Sequence, residues 1–187
     1  MHDIEPFYHW DSHYSAESDP FSPFYQVEHS ELYFTNTVYN YYIHPQWENF
    51  GSSTLYLKIL YADYTDSNAA IIELIGEWND ALHNDIMYLK REIVDHFSSR
   101  GINHFILIGE NVLNFHSSDD EYYQEWMEDV EDGWIVFLNF REHVIREMKL
   151  SRIHHCVELV EEEFNWRKYQ PLELIHQINS FINRRIN

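Results

Sequence analysis

The sequence predicts an α/β fold in which a mixed, mostly parallel sheet is flanked by helices. Two patterns lead to this prediction. Short runs of apolar residues, typical of buried strands, recur from residue 55 onward, and segments with apolar residues at helical spacing separate them. Their order, ββαβαβαβα, is typical of strands joined by helical crossovers around one core.

The first two predicted strands form a hairpin. Apolar residues dominate 55–61 and 70–75, and the residues at 65–68, Thr-Asp-Ser-Asn, are typical of a turn. Because the connection is so short, we expect the two strands to be antiparallel.

Helices and strands alternate through the rest of the chain. A helix is predicted over 82–97, where apolar side chains recur every three or four residues and Gly101 follows as a stop signal. Further strands are predicted at 104–108, 134–138 and 156–160, and further helices at 120–130, 142–148 and 172–182. The strands at 104–108 and 134–138 are continuously apolar, so we expect them inside the sheet.

Residues 1–50 differ in composition from 51–187, and we expect an irregular N-terminal extension followed by the α/β domain. Four of the five prolines lie in the extension, and no lysine or arginine precedes Lys58. Its many aromatic residues are unusual for a disordered tail and would leave a large apolar surface in water, so we expect it to pack on the core. A strand is expected within 32–43, which is rich in Tyr, Phe, Thr and Val.

The chain carries a large negative charge. Its 32 acidic and 12 basic residues give a formal net charge of −20. Such a surface repels the phosphate backbone of nucleic acids and anionic membranes, so neither is an expected partner. The charge favours a basic protein partner, although it also serves solubility.

The sequence shows no features of an exported or membrane-spanning chain. No run approaches the roughly 20 apolar residues of a transmembrane helix, and residues 1–5 lack the basic and apolar regions of a signal peptide. The single cysteine, Cys156, excludes a disulfide framework within the chain. We therefore expect a cytoplasmic protein.

Two phrases in the predicted α/β domain resemble a known family. Residues 74–79 read Leu-Ile-Gly-Glu-Trp-Asn, and residues 115–119 read Phe-His-Ser-Ser-Asp. They resemble, respectively, the Gly-Glu-Leu-Asp-like and Asp-Ser-Ser-Gly phrases of the STAS domain, a module of sulphate transporters and anti-sigma-factor antagonists. His116 stands where the family usually has Asp, and Asp119 where it has Gly. The resemblance covers 52–187 and extends to the order of the elements.

This resemblance implies a non-enzymatic module that binds a regulatory protein. In antagonist members of the family, a partner kinase phosphorylates the first serine of the Ser-Ser phrase and thereby switches partner binding. The matching residue here is Ser117. The resemblance therefore implies a phosphorylation site at Ser117 and a regulatory kinase among the partners.

Local physical chemistry gives the same turn a second role. Ser118 and Glu121 fit the S-x-x-E capping box, in which each side chain satisfies a free backbone N–H at the start of a helix. A helix N-terminus also favours a phosphate, whereas the neighbouring Asp119, Asp120 and Glu121 repel it. A cap at Ser118 and a phosphorylation site at Ser117 are compatible, and the sequence leaves both open.

An acidic helix follows this turn. Residues 119–132 include eight acids and no base, so no ion pair within the helix can compensate them. The segment is either a docking surface for a basic partner or an ordinary solvated face. The candidate docking residues are Asp119, Asp120, Glu121, Glu125, Glu128 and Asp129.

Histidines and carboxylates offer an alternative function, that of an enzyme or a metal-binding protein. His9 and His13 have the i,i+4 spacing of zinc ligands on a helix. Other candidate ligands are His2, Asp3, Asp11 and the run His154-His155-Cys156. Ordinary polar or core roles are the preferred reading for these residues, so we expect no metal and no cofactor.

The sequence also gives no specific catalytic motif. Cys156 is expected to be a small hydrophobic residue in a strand, and Glu77 and Glu110 near strand ends are the candidate acid–base pair. In so acidic a chain such pairs arise by chance, so no catalytic residue is expected. A further alternative is a small-ligand sensor whose aromatic extension covers a pocket.

Overall fold

A computed structural model describes residues 4–30 and 32–186. A hairpin near the N-terminus consists of β1 (Thr37–Val38) and β2 (Tyr41–Tyr42). The strands of the main sheet are β3 (Leu55–Asp63), β4 (Ala69–Asn79), β5 (His104–His116), β6 (Trp134–Leu138) and β7 (Glu158–Val160). They lie in the order β3-β4-β5-β6-β7, with β3 antiparallel to β4 and the later pairs parallel. The predicted mixed, mostly parallel sheet is confirmed.

Strands β5 and β6 lie inside the sheet, as their apolar sequences predict. β5 is paired on both sides, by β4 and β6, and β6 lies between β5 and β7. β5 also continues beyond its predicted end at Ile108, because its residues as far as His116 pair with β4 as far as Asn79. This continuation determines where the candidate site is placed.

The last strand is shorter than predicted. The sequence predicts a strand from Cys156, but β7 begins at Glu158. A 3-10 turn, Ile153–His155, precedes it, and the N–H of Cys156 donates to the carbonyl of Ile153 at 2.9 Å. Since that N–H closes a turn, it is not available to a neighbouring strand, and Cys156 lies outside the sheet.

The predicted helix over 82–97 is divided into segments. The helices are α1 (Asp80–His83), α2 (Asp85–Tyr88), α3 (Asp95–Ser98), α4 (Glu121–Asp129), α5 (Glu142–Leu150) and α6 (Pro171–Ile186), and a π-helical segment, Leu89–Val94, joins α2 to α3. Asn84 separates α1 from α2 with a left-handed φ of 53°, a conformation that Asn tolerates better than most residues. No helix formed by the described residues is long and apolar enough to span a bilayer.

The two faces of the sheet pack against different elements, because successive side chains of a strand point to opposite faces. One face packs against α2, the π-helical segment, α4 and α5, and the other packs against α6 and two short 3-10 segments, Tyr8–Trp10 and Trp166–Lys168. The first cluster includes Leu57, Leu107, Phe137, Ile86, Trp126 and Val144. The second includes Ile71, Ile106, Val136, Trp10, Trp166 and Leu174.

The N-terminal extension packs on the sheet, as its aromatic content predicts. Trp10, Phe24 and Trp47 are buried, and they belong to three different apolar clusters. Glu48 also forms a one-residue antiparallel bridge with Leu57. The bridge covers part of the open edge of β3, where unpaired backbone groups would otherwise be exposed.

The prediction of a strand within 32–43 is wrong in extent. The chain forms only the short β1 and β2 in this segment, joined by Tyr39 and Asn40, whose φ angles are 48° and 65°. Two successive residues with positive φ form the tight turn of a two-residue hairpin. The chain therefore reverses direction where its composition predicts one continuous strand.

Candidate functional site

The turn after β5, residues 117–120, lies at the carboxyl end of the parallel strands. In open α/β sheets this edge is where ligands commonly bind. Ser117 is exposed, and the side chain of His116 before it is 51% exposed, with Nε2 2.9 Å from Oε1 of Glu77 on β4. The hydroxyl proposed for phosphorylation is therefore at the surface.

This turn does not form the capping box predicted for Ser118 and Glu121. Helix α4 begins at Glu121 with Asp120 as its N-cap residue, and that residue makes no side-chain capping hydrogen bond. Ser118 lies two residues before the N-cap, too early for the usual bond to the first helical turn. The cap prediction is wrong because β5 runs on to His116 and the chain enters the helix late.

The β1–β2 hairpin lies beside the end of β5. The amide Nδ2 of Asn114 donates to the hydroxyl of Tyr39 at 2.6 Å. Burial and the neighbouring carboxylate of Glu77 raise the pKa of Tyr39 above its ordinary value. Tyr39 therefore contacts both Asn114 and Glu77, and Glu77 in turn contacts His116. This chain of contacts joins the hairpin to the turn that carries Ser117.

The hairpin presents aromatic side chains to solvent. The exposed fractions are 48% for Tyr39, 65% for Tyr41 and 51% for Tyr42. Tyrosine is enriched at protein interfaces because its ring is large and apolar while its hydroxyl remains solvated. We define the hairpin surface as these three tyrosines. The sequence did not identify this surface, because the composition of 32–43 predicts one ordinary strand.

Two of the six candidate docking acids have internal partners. Arg91 donates to Oε1 of Glu125 at 2.6 Å, and Lys90 donates to Oδ2 of Asp129 at 2.6 Å. Both bases come from the π-helical segment, which packs beside α4. Bases from outside 119–132 therefore neutralise the charges of Glu125 and Asp129. The acidic surface left for a partner is smaller than the sequence predicts.

The other four candidate acids lie at the start of α4 and on its solvent face. Asp119, Glu121 and Glu128 are exposed, and Asp120 is half-buried. Among the described residues, none of the four forms an ion pair. Asp119, Asp120 and Glu121 therefore remain as an acidic surface adjoining Ser117, whereas Glu128 lies at the other end of α4.

The two candidate acid–base residues do not share a cleft. Oε1 of Glu110 accepts hydrogen bonds from Asn139, Trp166 and Arg167 at 2.8–2.9 Å. Burial alone would raise the pKa of Glu110, but these donors lower it below its ordinary value. Glu77 contacts His116 instead. Each carboxylate is thus held by its own partners.

Two other carboxyl groups are deeply buried. Glu73 is 1% exposed and accepts the N–H of Phe7 at 2.9 Å; burial raises the pKa of Glu73 to about 7. Asp80 is 3% exposed and accepts the hydroxyl of Tyr123 at 2.7 Å; burial raises the pKa of Asp80 to about 6. Both groups lie within packed clusters, where they join one element to another.

The histidines that the sequence suggests as metal ligands are not brought together into one site. His9 stacks on Phe7 with ring centroids 4.9 Å apart, and His13 is exposed. His2 and Asp3, their suggested co-ligands, lie outside the described residues. The rings of His154 and His155 contact each other on the surface, with centroids 4.2 Å apart and an angle of 36° between the ring planes.

Cys156 is not suited to act as a nucleophile. Burial and the nearby charge of Asp120 raise the pKa of the Cys156 thiol above its ordinary value. A raised pKa keeps the thiol protonated at neutral pH, whereas nucleophilic attack requires the thiolate.

A charged cluster that sequence reasoning missed lies between the extension and β3. His29 Nε2 is 3.0 Å from Oε1 of Glu17 and 2.7 Å from Oε1 of Glu48. Lys58 Nζ is 2.5 Å from Oε1 of Glu17 and 3.1 Å from Oε1 of Gln46. These residues are far apart in the sequence, and no motif links them.

Two cavities flank the sheet. One of about 350 Å³ adjoins this cluster, and Tyr14, Glu17, His29 and Lys58 are among its lining residues. Another of about 420 Å³ lies beside α6 and is lined in part by His104, Trp134 and His176. The extension contributes to the first cavity and not to the second. It also contributes Pro23, Phe24 and Phe50 to a smaller cavity of about 260 Å³.

Comparison with known proteins finds similarity at the level of fold. No protein-family model matches the chain, and no curated protein matches it. The anti-sigma factor antagonist SpoIIAA in its unphosphorylated form is similar, with 16% sequence identity, coverage of 64% of this chain and 96% of that chain, and a TM-score of 0.46. A putative anti-sigma factor antagonist from Thermotoga maritima is also similar, with 16% identity, coverage of 49% and 80%, and a TM-score of 0.39.

Proposed function

We propose that this protein is a non-enzymatic regulatory module that binds a basic protein partner at the carboxyl end of β5. The contact surface consists of the hairpin surface and the acidic turn that follows Ser117. The observation that carries the proposal is the exposure of three tyrosines, Tyr39, Tyr41 and Tyr42, on a hairpin fixed to β5 by the bond between Tyr39 and Asn114.

The composition of this surface supports a protein partner. Aromatic side chains exposed together are costly in water, and Tyr is among the residues that most often dominate binding energy at interfaces. The unpaired acids Asp119, Asp120 and Glu121 adjoin the tyrosines through His116 and Glu77. A partner with basic groups around an apolar centre complements this arrangement.

Phosphorylation of Ser117 is the proposed switch. The resemblance to anti-sigma-factor antagonists supports a regulatory kinase as a partner, and Ser117 is exposed between His116 and the acidic turn. A phosphate there adds up to about two negative charges beside Asp119 and Asp120, so it changes the electrostatic complementarity to a basic partner.

Site-specific cross-linking tests the location of the surface. A photoreactive amino acid placed at Tyr41 should capture the partner in cells, whereas the same group at Leu150, which is 72% exposed on the end of α5, should not. Equal capture at both positions would contradict the proposed surface.

Calorimetry with the captured partner then tests the switch. Replacing Tyr41 and Tyr42 by Ser should weaken binding by more than about tenfold, since truncated interface aromatics commonly cost about 2 kcal/mol. Ser117→Asp should change the affinity, and Ser117→Ala should leave it unchanged. Equal affinities for Ser117→Asp and wild type would remove the phosphorylation switch while leaving the binding surface in place.

A further inference from the structure

We propose that Glu17, His29 and Glu48 form a site for one divalent transition-metal ion between the extension and the edge of β3. Each residue offers one ligand atom, and the three atoms lie within 4.8 Å of one another. One imidazole nitrogen and two carboxylate oxygens are ligand types that zinc and similar ions use in proteins. This site is separate from the proposed partner surface and does not depend on it.

The geometry of the contacts points to a ligand. His29 Nε2 lies 2.7 Å from Oε1 of Glu48 and 3.0 Å from Oε1 of Glu17, so two carboxylate oxygens face the same imidazole nitrogen, and the atoms of His29 and Glu48 are buried. The side chains of His29 and Glu48 are only 9% and 7% exposed. An ion bound among these three atoms would replace the ion pairs that His29 makes with Glu17 and Glu48.

The surroundings of the three residues resemble those of metal ligands. His29 Nδ1 lies 3.2 Å from the carbonyl oxygen of Pro45, to which it can donate a proton. Glu17 and Glu48 raise the pKa of His29 to about 9, so an ion must displace the proton of Nε2 before it can bind there. The hydroxyl of Ser15 donates to Oε2 of Glu17 at 2.7 Å. These outer contacts orient a ligand ring and a ligand carboxylate.

Lys58 competes with an ion for Glu17. Its Nζ lies 2.5 Å from Oε1 of Glu17, the oxygen that also faces His29. Lys58 also reaches Oε1 of Gln46 at 3.1 Å, so it retains a partner when Glu17 turns to the ion. Because a nearby ammonium repels a cation, Lys58 should weaken metal binding without preventing it.

The site also has room for the remaining ligands of an ion. The adjoining cavity of about 350 Å³ has Glu17, His29 and Lys58 in its wall. Water in this space can complete the coordination sphere, as it does where a protein supplies three ligands. The imidazole favours Zn²⁺ and related ions over Mg²⁺, which prefers oxygen ligands alone.

Titration calorimetry of the full chain with Zn²⁺, after treatment with chelator, tests the site. We expect one saturable ion per chain. His29→Gln should weaken binding at least about 30-fold, because it removes the nitrogen ligand. Lys58→Met keeps a long apolar side chain and removes the competing charge, so it should tighten binding by about tenfold. Mg²⁺ should not compete at equal concentration.

Controls separate this site from adventitious binding by other histidines. The double variant His154→Gln, His155→Gln removes the adjacent surface histidines and should bind Zn²⁺ as wild type does. Circular dichroism checks that each variant is folded, and Lys58→Met provides a test that does not require loss of a ligand. Absence of saturable binding, equal affinity in His29→Gln, or loss of binding in the His154/His155 variant would each overturn the proposal and leave the cluster as an internal ion-pair network.

Discussion

The ammonium of Lys90 donates to Oδ2 of Asp129 at 2.6 Å and thereby joins the π-helical segment to α4. The Lys90 side chain is fully buried and also contacts Asp95. Burial would lower the pKa of Lys90, but Asp129 and Asp95 raise it above its ordinary value. Lys90 is therefore charged, and its burial depends on these carboxylates.

Lys90→Met should lower the free energy of unfolding by about 1–3 kcal/mol. Removal of one member of a buried ion pair leaves the other charges without a partner, although the acids here are partly exposed and water can solvate them. Chemical denaturation at neutral pH measures the effect. Glu128→Gln, on the exposed face of α4, is the matched control and should change stability by less than about 0.5 kcal/mol. Equal values for the two variants would show that the Lys90 network contributes nothing.

Glu73→Gln should remove a pH dependence of stability. The pKa of Glu73 in the folded chain is about 7, above the roughly 4.3 expected when unfolded, so the native state binds more protons between these values. The free energy of unfolding should therefore fall as pH rises from about 4 to 7. Gln cannot ionise and can still accept the N–H of Phe7, so Glu73→Gln should be more stable than wild type by about 1–3 kcal/mol at pH 8 and similar at pH 4.

Melting curves from pH 4 to pH 8 check this prediction. Glu5→Gln, at an exposed position of the extension, should keep the wild-type profile. A difference between Glu73→Gln and wild type that does not grow with pH would argue against a buried carboxyl with a raised pKa.

Ser118→Ala should change stability by less than about 0.5 kcal/mol, because Ser118 precedes the N-cap of α4 and caps nothing. Asn79→Ala is the positive control, since Oδ1 of Asn79 accepts the N–H of Leu82 at 3.0 Å at the start of α1. Its loss should cost about 1 kcal/mol. Thermal denaturation compares the two variants, and a cost of 1 kcal/mol or more for Ser118→Ala would indicate that the capping box forms in solution.

Trp10→Ala should cost about 3–5 kcal/mol, as expected for a large buried aromatic. Trp10 is 2% exposed, its ring centroid lies 5.5 Å from that of Trp166, and its Nε1 donates to the carbonyl of Tyr169 at 3.2 Å. The exposed Tyr33→Ala should cost less than about 0.5 kcal/mol. If the extension folded apart from the α/β domain, Trp10→Ala would leave the main unfolding transition unchanged.

The sequence determined the fold class and most of the sheet. Apolar runs and helical spacing are local patterns, and they placed the strands β3 to β6, the helices α4 to α6 and the interior position of β5. Local patterns failed where the backbone departs from regular geometry, at the turn of Tyr39 and Asn40 and at Asn84. Composition does not distinguish a straight strand from a hairpin, because both favour the same residue types.

Only the tertiary structure decided which charges meet. The sequence of α4 shows uncompensated acids, but the bases that pair with Glu125 and Asp129 lie more than 30 residues earlier. Likewise, Glu17, His29 and Glu48 meet because the extension crosses the edge of β3 and Glu48 bridges to Leu57. Electrostatic and coordination energies depend on distances of a few ångströms in space. Separation along the chain carries no information about those distances until the strand order and the path of the extension are fixed.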